Sequence, residues 1–567
     1  MASNNAEAVI IVGGGLAGLV AAWELSKAKV PSIILDQESE ANLGGQAFWS
    51  LGGIYCVNST NQRRLGVHDS RELAKQDWLH AAQFDRDTDV WPRKWADAFV
   101  DFATDQMESY LRALGVKFIT VGWAERGSGI ASGHGNSVPR FHVTWGAGPA
   151  IVSAFEKPVR AAADSGLVQF KFRHRVDQLL VDEQSGAAIG VRGKVLVPSH
   201  SARGVASSRY TVGDFKLHGR CVLITTGGIG GNPELVKKHW PVDRLGPVPS
   251  SFVVGVPAHV DGRMIGIARD AGANVINSDR MWHYTEGLHN WDPIWPHHGI
   301  RVIPGPSSLW LDATGKRLPP FLYPGCDTLA TLKYIGHTGY DYTWFLLNRS
   351  IISREFALSG SEQNPDLTNK SYRLLLQRLF GSSGTGPVQA FMKNGKDFVV
   401  ASSLPELVDG MNKLVHKRGG PMLDAKQVQG EVELRDGQAD NKYSKDAQIM
   451  AIRNARNFWP DGMMGRVRAV HRLLDPQHGP LIAVRMNILT RKTLGGIETN
   501  LHCNVLRADG SCFPGLYAAG EAAGFGGGGV HGYNALEGTF LGGCIFSGRT
   551  AGMQIAQEAG AQRSTLC

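Results

Sequence analysis

Near the start of the chain, hydrophobic residues come in two short unbroken runs. Val9-Ile10-Ile11-Val12 and Ser32-Ile33-Ile34-Leu35 each have the length and β-branched content of a strand buried on both faces. Between them, Leu19-Val20-Ala21-Ala22-Trp23-Glu24-Leu25 reads as a helix, entered through Gly13-Gly14-Gly15-Leu16-Ala17-Gly18. The order strand, glycine turn, helix, strand predicts a phosphate-binding unit. Gly13 permits the tight turn, Gly15 lets a pyrophosphate approach the backbone, and Gly18 lets the helix pack on the strand. Asp36, at the end of the second run, is placed to accept hydrogen bonds from an adenosine ribose.

Further along, a helix-like segment from Lys157 leads into Val168–Phe172, Val176–Val181 and Ala188–Val191, short alternating runs that predict a β-meander. Cys221-Val222-Leu223-Ile224-Thr225 is another buried strand, running into Thr226-Gly227-Gly228. The middle third changes character: Trp282, Trp291, Trp295, Trp310 and Trp344 are separated by proline and glycine breaks, and amphipathic stretches follow. Residues 277–474 are read as an inserted α+β cap. Gly515-Leu516-Tyr517-Ala518-Ala519 is again a strand, turning at Gly520-Glu521, and a small-residue helix starts at Thr539. The predicted fold class is therefore α/β. A Rossmann-like domain, parallel sheet plus β-meander, is built from residues 1–276 and 475–567 around the cap.

Composition narrows the function without naming it. Seventy glycines with no collagen-like period, clustered at Gly227-Gly228 and Gly524–Gly529, suggest many close backbone approaches to a ligand. The formal charge of +8 is dispersed, with no basic, aromatic-interleaved stripe, so no nucleic-acid partner is expected. Seven scattered cysteines show no C-x-x-C pair and no metal-ligand spacing, which suits a reducing, cytoplasmic setting and predicts no metal. The glycine turn interrupts the first apolar stretch and no basic segment precedes it, so neither a secretory signal nor a membrane span is expected. Ser564-Thr565-Leu566-Cys567 is a poor peroxisomal address.

Six segments in order, VGGGLAGL, GGQAFWSLGG, TTGGIGG, HVDGRMIGIARDAGA, TLGGIET and GLYAAGEAAGFGGGGVHGYNALEGTFLGGCIFSGRTAG, together resemble one family. It comprises the flavoproteins that include fumarate reductase and succinate dehydrogenase subunits and 3-ketosteroid Δ1-dehydrogenases. The resemblance implies a Rossmann-like FAD-binding domain, with the diphosphate at Gly13, Gly15, Leu16, Ala17 and Gly18 and the ribose at Asp36 and Gln37. It implies that Gly44, Gly45, Gln46, Gly52 and Gly53 line diphosphate and flavin, that Val176 meets adenine, and that Thr226, Gly227 and Gly228 approach the cofactor. Gly520 and Glu521 would hold the ribityl chain. Backbone N–H groups at Thr539, Phe540 and Leu541 would face the flavin pyrimidine, where a helix N-terminus stabilises negative charge.

Departures from the family pattern shape the expected chemistry. Gln46 stands where succinate dehydrogenases carry the flavin-linking histidine, which implies non-covalent FAD. Ala535 replaces the arginine of the G-A-N-R-L-G-G-N segment, Lys492 replaces the histidine before T-M-G-G, and no arginine lies between Leu318 and Asn348. A dicarboxylate needs bidentate cations, so fumarate or succinate is not the expected substrate.

The ketosteroid branch uses tyrosines to polarise a ketone and take a proton, and its candidates here are Tyr533, Tyr340 and Tyr342, with Tyr323 behind them. Lys492 and His283 complete the catalytic candidates. Tyr284, Arg491 and His531 are further polar residues in the same contexts, and packing is the bland reading for Tyr340 and Tyr342. The expected activity is FAD-dependent desaturation of a C–C bond beside a carbonyl on an apolar, polycyclic small molecule, with hydride passing to flavin N5 and an external electron acceptor. An ene-reductase acting on a non-dicarboxylate enone is the alternative direction. A non-catalytic or RNA-associated flavoprotein is the alternative of another class.

Overall fold

The computed structural model describes residues 7–123, 125–126, 135–416, 419–534 and 536–566. Its centre is a six-stranded sheet in the order Asn504–Leu506, Cys512–Ala518, Cys221–Ile224, Val9–Val12, Ser32–Asp36, Val168–Phe172. All neighbours are parallel except the first pair. Val9–Val12 is buried throughout, as its unbroken apolar run requires. Val222 pairs with Leu516, so the two ends of the chain complete one sheet. The Thr539–Leu566 helix lies on the Leu16–Lys27 helix at glycine contacts. A Cβ at Gly548 would meet the Ala17 carbonyl at 2.5 Å, and one at Gly552 the Ala21 carbonyl at 2.8 Å. Side chains there would force the helices apart.

The meander differs in membership from the sequence reading. Val168–Phe172 joins the parallel sheet beside Ser32–Asp36, and the antiparallel sheet is His174–Val181, Ala188–Leu196 and Thr211–His218. Arg173 makes the switch: its φ of +62° turns the chain between sheets. Its buried guanidinium donates to the Gln37 and Val197 carbonyls and to Ser207 Oγ, which fixes the corner.

The cap is organised on an eight-stranded sheet. Its central strand is Leu481–Thr493, paired with Met281–His289, Tyr342–Asn348, Phe398–Ala401 and Val253–Val254. That strand lies beyond residue 474, so the segment returning to the FAD-binding domain first crosses the cap sheet. Val275–Ile276 and Gly496–Ile497 then form an antiparallel ribbon where the chain leaves and re-enters. Among the described residues, no helix is long and apolar enough to cross a membrane.

Candidate active site

A cavity of about 1520 Å³, open mouth included, runs from the first glycine turn to the underside of the cap. At the turn, Gly13 has a φ of +108°, and a Cβ there would meet the Thr225 carbonyl at 2.7 Å. Gly18 lies beneath the cavity, where a Cβ would meet the Gly13 carbonyl at 2.3 Å, consistent with a role in helix packing. Gly15 is different. A Cβ there would approach only the Thr225 carbonyl, at 3.6 Å, so the space above it is open. No side chain caps the following helix and its first turn holds no acid, which leaves bare N–H groups at its positive end.

Leu16, Ala17, Gly44, Gly45, Thr226 and Gly227 line the same space, and Gly15 bridges to Gly44. Asp36 accepts the N–H groups of Gly14 at 2.9 Å and Glu38 at 2.8 Å, which aim its carboxylate, while burial pushes its pKa up. Gln37, Val176 and His259 complete this end. An open glycine cradle, an uncapped helix end and an aimed carboxylate fit the adenosine diphosphate half of FAD.

Beyond the cradle, Gln46 bridges two charged groups: its amide N–H₂ donates to Glu521 Oε2, and Lys492 Nζ donates to its carbonyl oxygen at 2.9 Å. Glu521 also accepts the Thr493 N–H at 2.9 Å. Gly53, Gly520, Phe540 and Leu541 line this region. Gly52, Gly228 and Thr539 sit just behind it. Cβ atoms at Gly52 and Gly228 would strike Ala147 C at 2.6 Å and Thr493 Oγ1 at 2.0 Å, and Thr539 Oγ1 bonds His531 Nε2 at 2.8 Å.

Burial lowers the Lys492 pKa from 10.5 to about 8, with Glu521 opposing, and raises that of Glu521. Between pH 8 and 10.5 the unfolded chain therefore holds a proton that the folded protein lacks, and stability rises with pH across that window. The thermal midpoint of FAD-free protein is expected to gain on that of Lys492→Met over this range. Parallel midpoints for the two proteins would contradict it.

Under the cap the lining is Tyr284, Arg301, Ile303, Ser359, Arg491 and Glu537. Arg301 lies 3.9 Å over the Tyr284 ring and pairs with Glu537. Burial pushes the Tyr284 pKa above the ordinary tyrosine range; Glu537 adds to the rise, and Arg301 and Arg491 oppose it. Tyr284 is therefore a hydroxyl donor at neutral pH.

Of the proposed catalytic residues, only Lys492 lines the cavity. His283 points away because successive residues of a strand alternate. It packs 4.7 Å from Trp240, its pKa lowered to about 3 by burial and by Arg244. Tyr533 is held between Arg244 and Arg280, each 4.2 Å from its ring, and donates to Asp85 at 2.8 Å. Tyr340 and Tyr342 pack on each other in the cap, 6.4 Å between rings, with Trp344 beyond Tyr342. Ala535 lies outside the described residues. Among the described residues, no cluster of three or more His, Cys, Asp or Glu is placed to hold a metal.

The sequence profile described as FAD binding domain matches residues 8–541. The chain belongs to that family. It is an FAD-dependent oxidoreductase. A KsdD-like steroid dehydrogenase of Mycobacterium tuberculosis is 61% identical over 550 residues, covering 97% of this chain and 95% of the relative. Another, from Mycolicibacterium smegmatis, is 61% identical over 534 residues, covering 94% and 96%. Among solved structures, the 3-ketosteroid Δ1-dehydrogenase of Sterolibacterium denitrificans, in complex with 1,4-androstadiene-3,17-dione, superposes with a TM-score of 0.66. At 15% identity over 99% of this chain and 100% of that one, the likeness establishes the shared fold. The α/β class expected from the chain, with its parallel FAD-binding sheet, agrees with it.

Proposed function

We propose that this family member oxidises or reduces a C–C bond adjacent to a carbonyl on an apolar polycyclic substrate of steroid type. The observation that carries the reading is Tyr284, a protonated hydroxyl in the cavity roof beside the Arg301–Glu537 pair. FAD bound in the glycine cradle supplies the hydride acceptor or donor. Tyr284 donates a hydrogen bond to the substrate carbonyl and stabilises the negative charge that develops on its oxygen. Glu537, paired with Arg301 in the same roof, is the carboxylate that exchanges a proton with the neighbouring carbon. Ile303 and Phe540 contribute apolar surface to the same cavity and exclude water. The likeness to KsdD-like steroid dehydrogenases at 61% identity supports a steroid-like substrate.

Attachment of FAD is non-covalent in this reading. Gln46 has no nucleophilic ring nitrogen, and both ends of its amide are engaged by Glu521 and Lys492. The test is an anaerobic titration of oxidised and dithionite-reduced protein with ketosteroids, terpenoid ketones and polyketide enones, followed by flavin absorbance. Bleaching of the oxidised form assigns dehydrogenation, and recolouring of the reduced form assigns reduction. Silence in both directions across all of these compounds would reject the substrate class.

A further inference from the structure

The ladder between Met281–His289 and Leu481–Thr493 skips a residue. Met281 faces Thr493, Trp282 faces Lys492 and His283 faces Thr490, so Arg491 stands unopposed in a β-bulge. In a regular strand Arg491 and Lys492 would point to opposite faces. The bulge brings both into one cavity.

Of the two roof arginines, Arg491 is the one without a carboxylate partner. Arg301 is paired with Glu537, and Lys492 is held by Gln46 with Glu521 beside it. Arg491 Nη1 donates only to Ser359 Oγ, at 3.2 Å, and its Nε has no partner; no acidic side chain pairs with it among the described residues. Ser359 Oγ is itself placed by the Arg301 backbone N–H at 3.2 Å. The Arg491 stem lies so close to Gly255 that a Cβ there would come within 3.2 Å of its Cδ, which restricts the side chain's freedom. Glu362, an acid of the same neighbourhood, makes no ion pair with Arg491; burial pushes its pKa up to about 7, and Arg491 opposes the rise. An unpaired, half-buried guanidinium in a ligand cavity is costly unless the ligand brings the anion.

We propose that Arg491, positioned by Ser359, binds an ionised carboxylate carried by the substrate, which makes that substrate an apolar carbonyl compound with a single acidic group. One unmatched cation admits one negative charge, so the site excludes dicarboxylates and favours the acid of a polycyclic ketone over its neutral analogues. The assignment rests on the substrate reading above, and the test separates the two.

Calorimetric titration of the FAD-loaded protein compares a 3-oxo-4-ene steroid bearing a side-chain carboxylate with its methyl ester, and includes cyclohexanecarboxylate as a non-steroid anion. The acid is expected to bind about tenfold to a hundredfold more tightly than the ester, the range of a charge-assisted bond. Arg491→Gln abolishes that preference and Arg491→Lys restores part of it. An ester that binds as tightly as the acid to the unaltered protein, or an acid preference that survives in Arg491→Gln, overturns the carboxylate site and leaves the steroid reading standing. Binding of cyclohexanecarboxylate, lost in Arg491→Gln, with no binding of either steroid, overturns the steroid reading and keeps the site. If no carboxylate binds, the site is rejected.

Discussion

Tyr284→Phe is expected to slow substrate-driven flavin bleaching by about 10²–10³-fold, the usual cost of losing one donor aimed at a developing oxyanion. The substitution deletes only a hydroxyl. The ring stays in place, with Trp282 stacked at 5.5 Å and Arg301 at 3.9 Å, so the roof keeps its shape. FAD content and absorbance should match the unaltered protein, because the cradle at Gly13–Gly18 lies on the other domain. Stopped-flow bleaching under anaerobic conditions, with a compound that proves active in the titration screen, gives the rate. An unchanged bleaching rate would remove Tyr284 from the chemistry and return the carbonyl donor to another lining group, with Lys492 the first to examine.

Gly15→Val should yield colourless protein whose affinity for FAD is about a hundredfold weaker, with the fold intact. The backbone at Gly15 (φ −75°, ψ −179°) suits any residue, and a Cβ there meets nothing closer than 3.6 Å. The added side chain would fill the space assigned to the pyrophosphate and shield the bare N–H groups behind it, each charge-assisted bond being worth about 1.5–3 kcal/mol. Gly18→Val is the contrast. Its Cβ would lie 2.3 Å from the Gly13 carbonyl, so the expected result is loss of stability together with loss of FAD. Far-UV circular dichroism and equilibrium FAD binding separate the two outcomes. Full FAD occupancy in Gly15→Val would move the diphosphate away from the first glycine turn.

The cofactor end was legible because its determinants are local. Strand, turn, helix and acid occupy one continuous stretch from Val9 to Asp36, and each glycine's role follows from sterics within a few residues. The catalytic end was not, because it is assembled across the cap sheet. Tyr284 and His283 are adjacent in sequence, and only the registration of Met281–His289 against Leu481–Thr493 decides which of them enters the cavity. Tyr533 sits in a glycine-rich context that suggested ligand contact, yet arginines from two distant segments enclose it. Arg301 was passed over. Its signal was present as a charged residue between Ile300 and Val302 in an otherwise buried strand, a placement that demands an acidic partner, which Glu537 supplies from 236 residues away.

By itself, then, the order of residues settled what depends on neighbours along the chain: the nucleotide turn, the strand and helix alternation, and membership of an FAD-binding family. Which cations, hydroxyls and carboxylates share the cavity was settled by tertiary structure, because a one-residue bulge at Arg491 and the pairing of strands hundreds of positions apart choose the face each side chain presents. Side-chain direction in a sheet has a period of two, and no local rule counts that period across a cap sheet that joins Val253–Val254 and Met281–His289 to Leu481–Thr493, about two hundred positions away.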